Sequence, residues 1–383
     1  MPSTNDQMPF RQFIVKLHSR CNLACDYCYV YTKVDQRWRG RPMTMSPEVV
    51  DHTVRRIAEH ARRHALDGVE VILHGGEPLL AGADVISTVV DSLHAAVPVE
   101  VRTTVQTNAT LLDRSFLEMF NRLGVRVGVS LDGDEAANDQ HRVRRDGRGS
   151  YQDVARGLRL LDSSEFRRLF RGLLCTVDLA NDPVTCYEAL LEFAPPTVDF
   201  LLPHGNWDTP PPDWSPNSTP YADWLIAVFD RWYDAPYRET GVRLFEEIIN
   251  VILGGTSRVE GVGLSPTAMV VVETDGMIEQ SDILATAFPG AATTGLHVSR
   301  DDFDAALRHP DLMARQAGIG GLPTVCRGCD RRTVCGGGLR AHRFRVGAGF
   351  DNPSVYCADL YRLIGHVRAR IAGSLVGLRR DVG

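Results

Sequence analysis

Cys21-Asn22-Leu23-Ala24-Cys25-Asp26-Tyr27-Cys28-Tyr29 follows closely on the apolar run Phe13-Ile14-Val15-Lys16-Leu17. Thiols at spacing C-x3-C-x2-C can converge on one soft-metal centre, because thiolate sulfur suits iron–sulfur clusters and zinc. Three ligands are one short of a closed four-iron cube. One iron then keeps an open position, where chemistry can take place. The competing reading is a structural zinc knuckle, which needs a fourth Cys or His nearby, and His18 is the local candidate.

The bulk numbers fit a soluble enzyme. At 383 residues the chain is long enough for one large domain plus a smaller one. A net charge of −6 argues against a broad grip on nucleic acid, although Arg142-Val143-Arg144-Arg145 is a local basic cluster. No apolar run reaches membrane-spanning length, and the first ten residues hold no signal-peptide core. A cytoplasmic protein with no membrane partner is expected. The nine cysteines gather mainly towards the two ends of the chain, a distribution that reads as metal binding rather than a disulfide framework. Cys175 and Cys186 stand alone and read as ordinary buried thiols.

After the cysteine loop, Ser46-Pro47 starts a helix over Val49–His64. The strand Val69–Leu73 then runs into His74-Gly75-Gly76-Glu77-Pro78. The rhythm continues with a helix at 85–96 and a strand at 99–105, ending in Gln106-Thr107-Asn108. A helix at 115–123 leads to a strand at 125–130 and Leu131-Asp132-Gly133. Helices at 151–161 and 185–193 precede strands at 169–176 and 198–202. Six strand–helix alternations imply a parallel sheet with right-handed crossovers. The expected fold class is α/β, a partial (β/α)6 barrel with its distinctive residues on the C-terminal strand ends.

Beyond His204 the composition changes, with Trp207, Pro210-Pro211-Pro212 and Trp214. This stretch reads as a lid or substrate-facing insertion, or equally as a decorated solvent loop. Helices at 221–235 and 242–253 precede a hairpin, 268–273 with 277–280, turning at Asp275-Gly276. Short helices then lead to Cys326-x2-Cys329-x5-Cys335 and Cys357. Domain boundaries are placed at 1–237 for the core, 238–320 for bridging helices and hairpin, and 321–383 for the cysteine-rich end.

The strand-borne triplet with Tyr27 and Tyr29 beside its last cysteine resembles the cluster loop of radical S-adenosylmethionine (SAM) enzymes. Gly75-Gly76-Glu77-Pro78, one strand later, matches the same family. There this motif binds the SAM amino group, and glycines allow close backbone approach. The resemblance implies a SAM-binding [4Fe-4S] cluster on Cys21, Cys25 and Cys28. It also places Tyr27 near adenine, and Ser130 and Arg142 at ribose and carboxylate. Leu202, at the sixth strand end, joins the implied SAM contacts. Gln106 and Asn108 lie on this rim, to bond cofactor or substrate or to cap their own turn.

The second cysteine group resembles the SPASM extension of radical SAM peptide-modifying enzymes, in which these four positions hold an auxiliary [4Fe-4S] cluster. A four-thiolate zinc is the alternative. A full SPASM domain carries a second auxiliary cluster, but two of its cysteine positions are here Leu339 and Ser281. That cluster is expected to be absent. Asp282 keeps its place beside the lost cysteine. In sulfatase-maturing relatives the matching aspartate takes a proton from substrate, so Asp282 is the candidate general base; the alternative is a hairpin-end aspartate held by backbone.

Leu73–Pro78, Leu201-Leu202-Pro203-His204 and the cysteine-free segment Glu273–Asp282 look most like the FxsB-type group, enzymes that mature ribosomally made peptides. The implied activity is removal of a β-hydrogen by a 5′-deoxyadenosyl radical and formation of a cyclophane crosslink. The implied partners are a precursor peptide and a flavodoxin- or ferredoxin-like electron donor. Thioether-forming and sulfatase-maturing enzymes are the rivals, and a cysteine-metal interaction protein is the non-enzyme alternative. Twenty residues precede Cys21, so leader-peptide contact is expected elsewhere, at Trp207–Trp214 and the hairpin.

Overall fold

The computed structural model describes residues 7–216 and 218–381. Six strands, β1 (Gln12–His18), β2 (Gly68–Gly75), β3 (Glu100–Thr107), β4 (Arg126–Ser130), β5 (Phe170–Thr176) and β6 (Thr197–Leu201), lie side by side in chain order and all parallel. Helices α1 (Pro47–Arg63), α2 (Ala83–Ala96), α3 (Arg114–Leu123), α4 (Glu135–His141), α5 (Tyr151–Leu161) and α6 (Pro183–Leu191) make the crossovers. The sequence periodicity misses only α4 among these, a short helix without an apolar stripe.

Local chemistry accounts for the elements. Ser46 caps α1 by accepting from the Val49 N–H, Pro47 occupies its first position, and Val50, Val54, Ile57 and Ala61 bury one face. Asp113 caps α3 and Gly124 ends it in a left-handed conformation, φ 69°. In β2 and β4, Val69, Val71, Leu73, Val127 and Val129 are fully buried, as a sheet covered by helices requires.

The sheet has ten strands among the described residues, in the order β10-β9-β8-β1-β2-β3-β4-β5-β6-β7. Helix α7 (Pro220–Tyr233) leads to β7 (Gly241–Val242), which adds to β6, and α8 (Arg243–Ile252) follows. The predicted hairpin is β8 (Met269–Val272) and β9 (Met277–Glu279), and β10 (Thr293–His297) extends it. Strand β8 pairs parallel with β1, so the hairpin continues the core sheet. The sheet stays open, with β10 and β7 at its edges.

Short helices α9 (Phe303–Leu307), α10 (Pro310–Gln316), α11 (Thr324–Arg327) and α12 (Arg332–Cys335) precede the long α13 (Cys357–Asp381), which packs on α7 and α8. The tryptophan insertion is neither a lid nor a free loop. The Trp207 indole donates to the Pro353 carbonyl (2.8 Å) and the Trp214 indole to the Val355 carbonyl (2.8 Å), and the rings meet edge to face. Those carbonyls lie just before Cys357.

One charge is buried at the seam between core and hairpin. Lys16 in β1 is 5% exposed, and its Nζ lies 2.9 Å from Glu273 and 3.0 Å from Asp282. Removing one partner of such a group leaves bare charge in a medium that solvates it poorly. Lys16→Met should therefore cost about 3–5 kcal/mol of stability, measured by denaturant unfolding. A loss below about 0.5 kcal/mol, the size of an ordinary surface change, would contradict this account of the seam.

Candidate cofactor and substrate site

The cysteine loop lies against the tip of β2. The Gly76 N–H donates to the His18 carbonyl (2.8 Å) and the Glu77 N–H to the Arg20 carbonyl (3.0 Å). A β-carbon on Gly75 would sit 2.2 Å from the His18 oxygen, and one on Gly76 would sit 1.8 Å from the Tyr31 hydroxyl. These glycines are needed first to admit the cysteine loop, a role that ligand approach alone does not supply.

Cys21, Cys25 and Cys28 are free and half-buried, and they line a cavity of about 1380 Å³. Gly75, Gly76, Gln106, Ser130, Arg142 and Leu202 reach the same cavity, as do Tyr27 and Asn108. Glu77 and Pro78 are buried behind its wall. The Glu77 carboxylate accepts from Thr107 Oγ1 (2.7 Å), Asn108 N (2.8 Å) and Leu79 N (3.0 Å). It ties the tips of β2 and β3 together, so the direct grip on a cationic amine expected from the sequence is not its geometry here. Burial nevertheless raises its carboxyl above the ordinary value, against those three bonds.

The donor set fits a multi-iron group. Among the described residues, only His60, His64 and Asp304 bring three donor atoms of these residue types within 4.8 Å of one another. These three form a hydrogen-bonded link between α1 and α9, at 2.8 and 2.9 Å. Sulfurs on one tetrahedral zinc stand roughly 3.8 Å apart, given a Zn–S bond of about 2.3 Å. Both cysteine sets are spread more widely. His18, the candidate fourth zinc ligand, has Nδ1 engaged with the backbone of Arg20.

Cys21 Sγ accepts from Leu23 N (3.4 Å) and from Asn108 Nδ2 (3.6 Å). Asn108 thus touches a thiol of the triplet as well as the cavity. Burial pushes the Cys21 thiol up to about 12, so a bound cation is what would hold it as thiolate at neutral pH. Gln106 Nε2 donates to Ser130 Oγ (3.0 Å).

Tyr27 and Arg142 meet Asp132, two residues past the end of β4. Tyr27 Oη donates to Asp132, and Arg142 Nη1 donates to Tyr27 Oη (3.0 Å), with Asp132 4.0 Å from Arg142. Arg142 is 7% exposed, and its Nε has no partner. A buried guanidinium that lines a cavity suits an anionic group. Asp132 comes just after the end of β4, which is the signal available in sequence.

Asp282 needs correcting. It does not line the cavity; Lys16 Nζ and Tyr29 Oη hold its carboxylate at 3.0 and 2.9 Å. Burial raises its carboxyl, but the Lys16 ammonium, the His74 ring and the hydrogen bonds from Lys16 and Tyr29 together outweigh it and leave the group at about 2. A carboxylate so firmly ionised is a poor general base. His204 does reach the cavity, packs edge to face on Tyr29 and lies 3.1 Å from His342. Burial lowers His204 to about 4 and also lowers His342, so both are neutral.

Cys326, Cys329, Cys335 and Cys357 are likewise free. Cys335 is close enough to feel Cys357 and Cys326, and Cys357 feels Cys326 and Cys329. A β-carbon on Gly261 would lie 3.0 Å from Leu339, and Ser281 is buried. Cys175 and Cys186 do not stand alone: their sulfurs lie 3.8 Å apart across β5 and α6, unbonded.

Residues 15–179 match the model of the Radical SAM superfamily. The chain is 26% identical over 289 residues to a cysteine-type anaerobic sulfatase-maturating enzyme of Clostridium perfringens, covering 72% of this chain and 74% of that one. It is 22% identical to a serine-type counterpart of Bacteroides thetaiotaomicron, covering 91% and 86%. The structure of native anSMEcpe with bound AdoMet and Cp18Cys peptide superposes with a TM-score of 0.79 at 21% identity, covering 97% of this chain and 99% of that one. Streptococcus suis SuiB bound to precursor peptide SuiA gives 0.55 at 15% identity, covering 88% and 73%. Residues 15–179, which carry the Cys21–Cys28 triplet and the glycine tip, thus match a superfamily whose members use a four-iron cluster and SAM, and the fold is similar to that of anSMEcpe.

The tryptophan clasp makes a prediction. Trp214→Ala removes the bond to the Val355 carbonyl and the contact with Trp207, loosening the segment that presents Cys357. Iron bound after anaerobic reconstitution should fall from about eight towards about four per chain, one four-iron cluster's worth. Unchanged iron would contradict the clasp.

Proposed function

We propose that this radical SAM enzyme modifies a ribosomally made precursor peptide, removing a β-hydrogen from one residue and joining that carbon to a nearby aromatic side chain as a cyclophane. The observation that carries this reading is the cavity. At about 1380 Å³ it exceeds the roughly 300–1,000 Å³ that one small ligand needs. It runs from the cysteine loop to Leu339, Arg340 and His342 of the C-terminal segment, leaving room for a peptide beside SAM.

When bound through Cys21, Cys25 and Cys28, a reduced four-iron cluster with SAM supplies a 5′-deoxyadenosyl radical, the chemistry that a protein side chain cannot provide. The chain's own residues bind and orient. Arg142 and Ser130, which line the cavity, take the polar groups of SAM in this reading, and Tyr27 bonds to both Arg142 and Asp132. Gly75, Gly76 and Leu202 form the adjoining wall, and Gln106 holds Ser130. Crosslinking removes one hydrogen atom, one proton and one electron from the peptide; the hydrogen atom goes to the 5′-deoxyadenosyl radical, and the electron would go to the cluster that Cys326, Cys329, Cys335 and Cys357 would hold. The neutral His204 takes the proton, since it lines the cavity and is the stronger base, whereas Asp282 lies outside it. Asp282 holds Lys16 and Tyr29 in place instead. A flavodoxin- or ferredoxin-like protein supplies the reducing electron.

The relatives named as sulfatase-maturating enzymes favour a second reading, oxidation of a serine or cysteine side chain to an aldehyde. The two are separable with reduced enzyme, SAM and a synthetic peptide that holds an aromatic residue and a serine or cysteine. A crosslink leaves a product lighter by two hydrogens, unreactive towards a hydrazide and resistant to fragmentation between the joined residues. A hydrazide-reactive product would establish the second reading. Absence of 5′-deoxyadenosine from fully loaded enzyme would sink both.

A further inference from the structure

Cys335 is followed by Gly336, Gly337 and Gly338, all left-handed with φ of 59°, 75° and 65°. A run of such residues is available only to glycine. Its effect is to turn three successive carbonyls onto one guanidinium. Arg343 Nη2 donates to Gly336 O (2.7 Å) and Gly338 O (2.7 Å), and Nε donates to Gly337 O (2.9 Å). A β-carbon on Gly337 would stand 2.8 Å from Arg343 Nη2, and one on Gly336 would stand 1.7 Å from the Gly263 oxygen. The loop after the third cysteine is wrapped around this side chain.

Arg343 is 7% exposed. Among the described residues no carboxylate pairs with it, whereas its basic neighbours are matched: Arg315 with Glu260 at 2.6 Å and Arg340 with Asp311 at 3.4 Å. Carbonyl dipoles take three N–H groups of Arg343 but leave its charge without a paired carboxylate, and an unpaired buried charge is costly. Burial pulls the guanidinium below its ordinary value, and the groups that oppose this most are Cys326 and Cys335. The missing counter-charge therefore points to whatever those thiolates hold.

We propose that Arg343 is the built-in counter-ion of an iron–sulfur cluster on Cys326, Cys329, Cys335 and Cys357, and that it raises that cluster's reduction potential. The inference rests on the reading that these four cysteines hold an iron–sulfur cluster. Four thiolates make such a cluster net negative, and reduction adds one more negative charge. A fixed positive charge beside it stabilises the reduced form more than the oxidised form, and charge and hydrogen bonding around the sulfurs are known levers on potential. The three-glycine turn keeps the guanidinium in place without supplying a carboxylate that would cancel it.

The test is an EPR-monitored redox titration of fully reconstituted protein carrying Arg343→Gln, which keeps a donor for the carbonyls but removes the charge, and Arg343→Lys, which keeps the charge. The glutamine variant should shift the reduction equilibrium of the second cluster at least tenfold towards oxidation, a fall of 59 mV for a one-electron couple. The lysine variant should stay within half of that, and the first cluster should not move in either. An unshifted glutamine variant, or equal falls in both variants, would overturn the counter-ion role. If the glutamine variant fails to load its second cluster, the lysine variant decides: a potential near wild type supports the proposal, and a fall of 59 mV or more overturns it. Wild-type protein that binds only about four irons would instead remove the cluster reading on which the proposal stands.

Discussion

The close approach of two backbones organises this molecule. The loop carrying Cys21, Cys25 and Cys28 can lie on the tip of β2 only because positions 75 and 76 bear no side chain: β-carbons there would stand 2.2 Å from the His18 oxygen and 2.5 Å from the Arg20 oxygen. Two backbone bonds fasten the contact, from Gly76 to His18 and from Glu77 to Arg20. Glu77 then turns inward to grip Thr107 and Asn108, and Asn108 returns an N–H to Cys21. The thiols, the glycine tip and the β3 tip are one mechanical unit. That is the rigidity a radical-generating site needs, since reacting atoms must be held within fractions of an ångström.

Buried charge is arranged around this unit in fixed pairs. Lys16 carries Glu273 and Asp282 at the seam with the hairpin, and Arg142 carries Tyr27 and Asp132 on the cavity wall. The two sets differ in what they leave spare. Asp282 is fully engaged and firmly ionised, whereas Arg142 keeps an unpartnered Nε. Arg142 lines the cavity and suits a binding group, whereas Asp282 lies outside it and is a structural one. Every helix among the described residues falls short of the length and apolarity needed to cross a membrane.

Much of this was legible in the sequence. The six parallel strands followed from apolar runs punctuated by helices, and the first cysteine triplet stood out by its spacing, the second set by its resemblance to a SPASM extension. What escaped depends on which distant segments meet. The hairpin was visible as Asp275-Gly276 between apolar residues, but not that β8 would pair with β1 and carry Asp282 onto Lys16. Trp207 and Trp214 looked like an exposed insertion because their partners are backbone carbonyls about 140 residues away, which no local pattern announces. Asp132 and His342 were unmarked for the same reason. Cys175 and Cys186, apart in sequence, touch because β5 and α6 are packed together.

The account depends most on an iron cube gripped by only three sulfurs, with its last metal corner left for SAM. The most direct measurement is electron–nuclear double resonance on the reduced protein, with the second cysteine set replaced by alanine and SAM labelled with nitrogen-15 at its amino group. A resolved nitrogen coupling to the cluster is the predicted result. A reduced four-iron signal that binds SAM without any such coupling would contradict it.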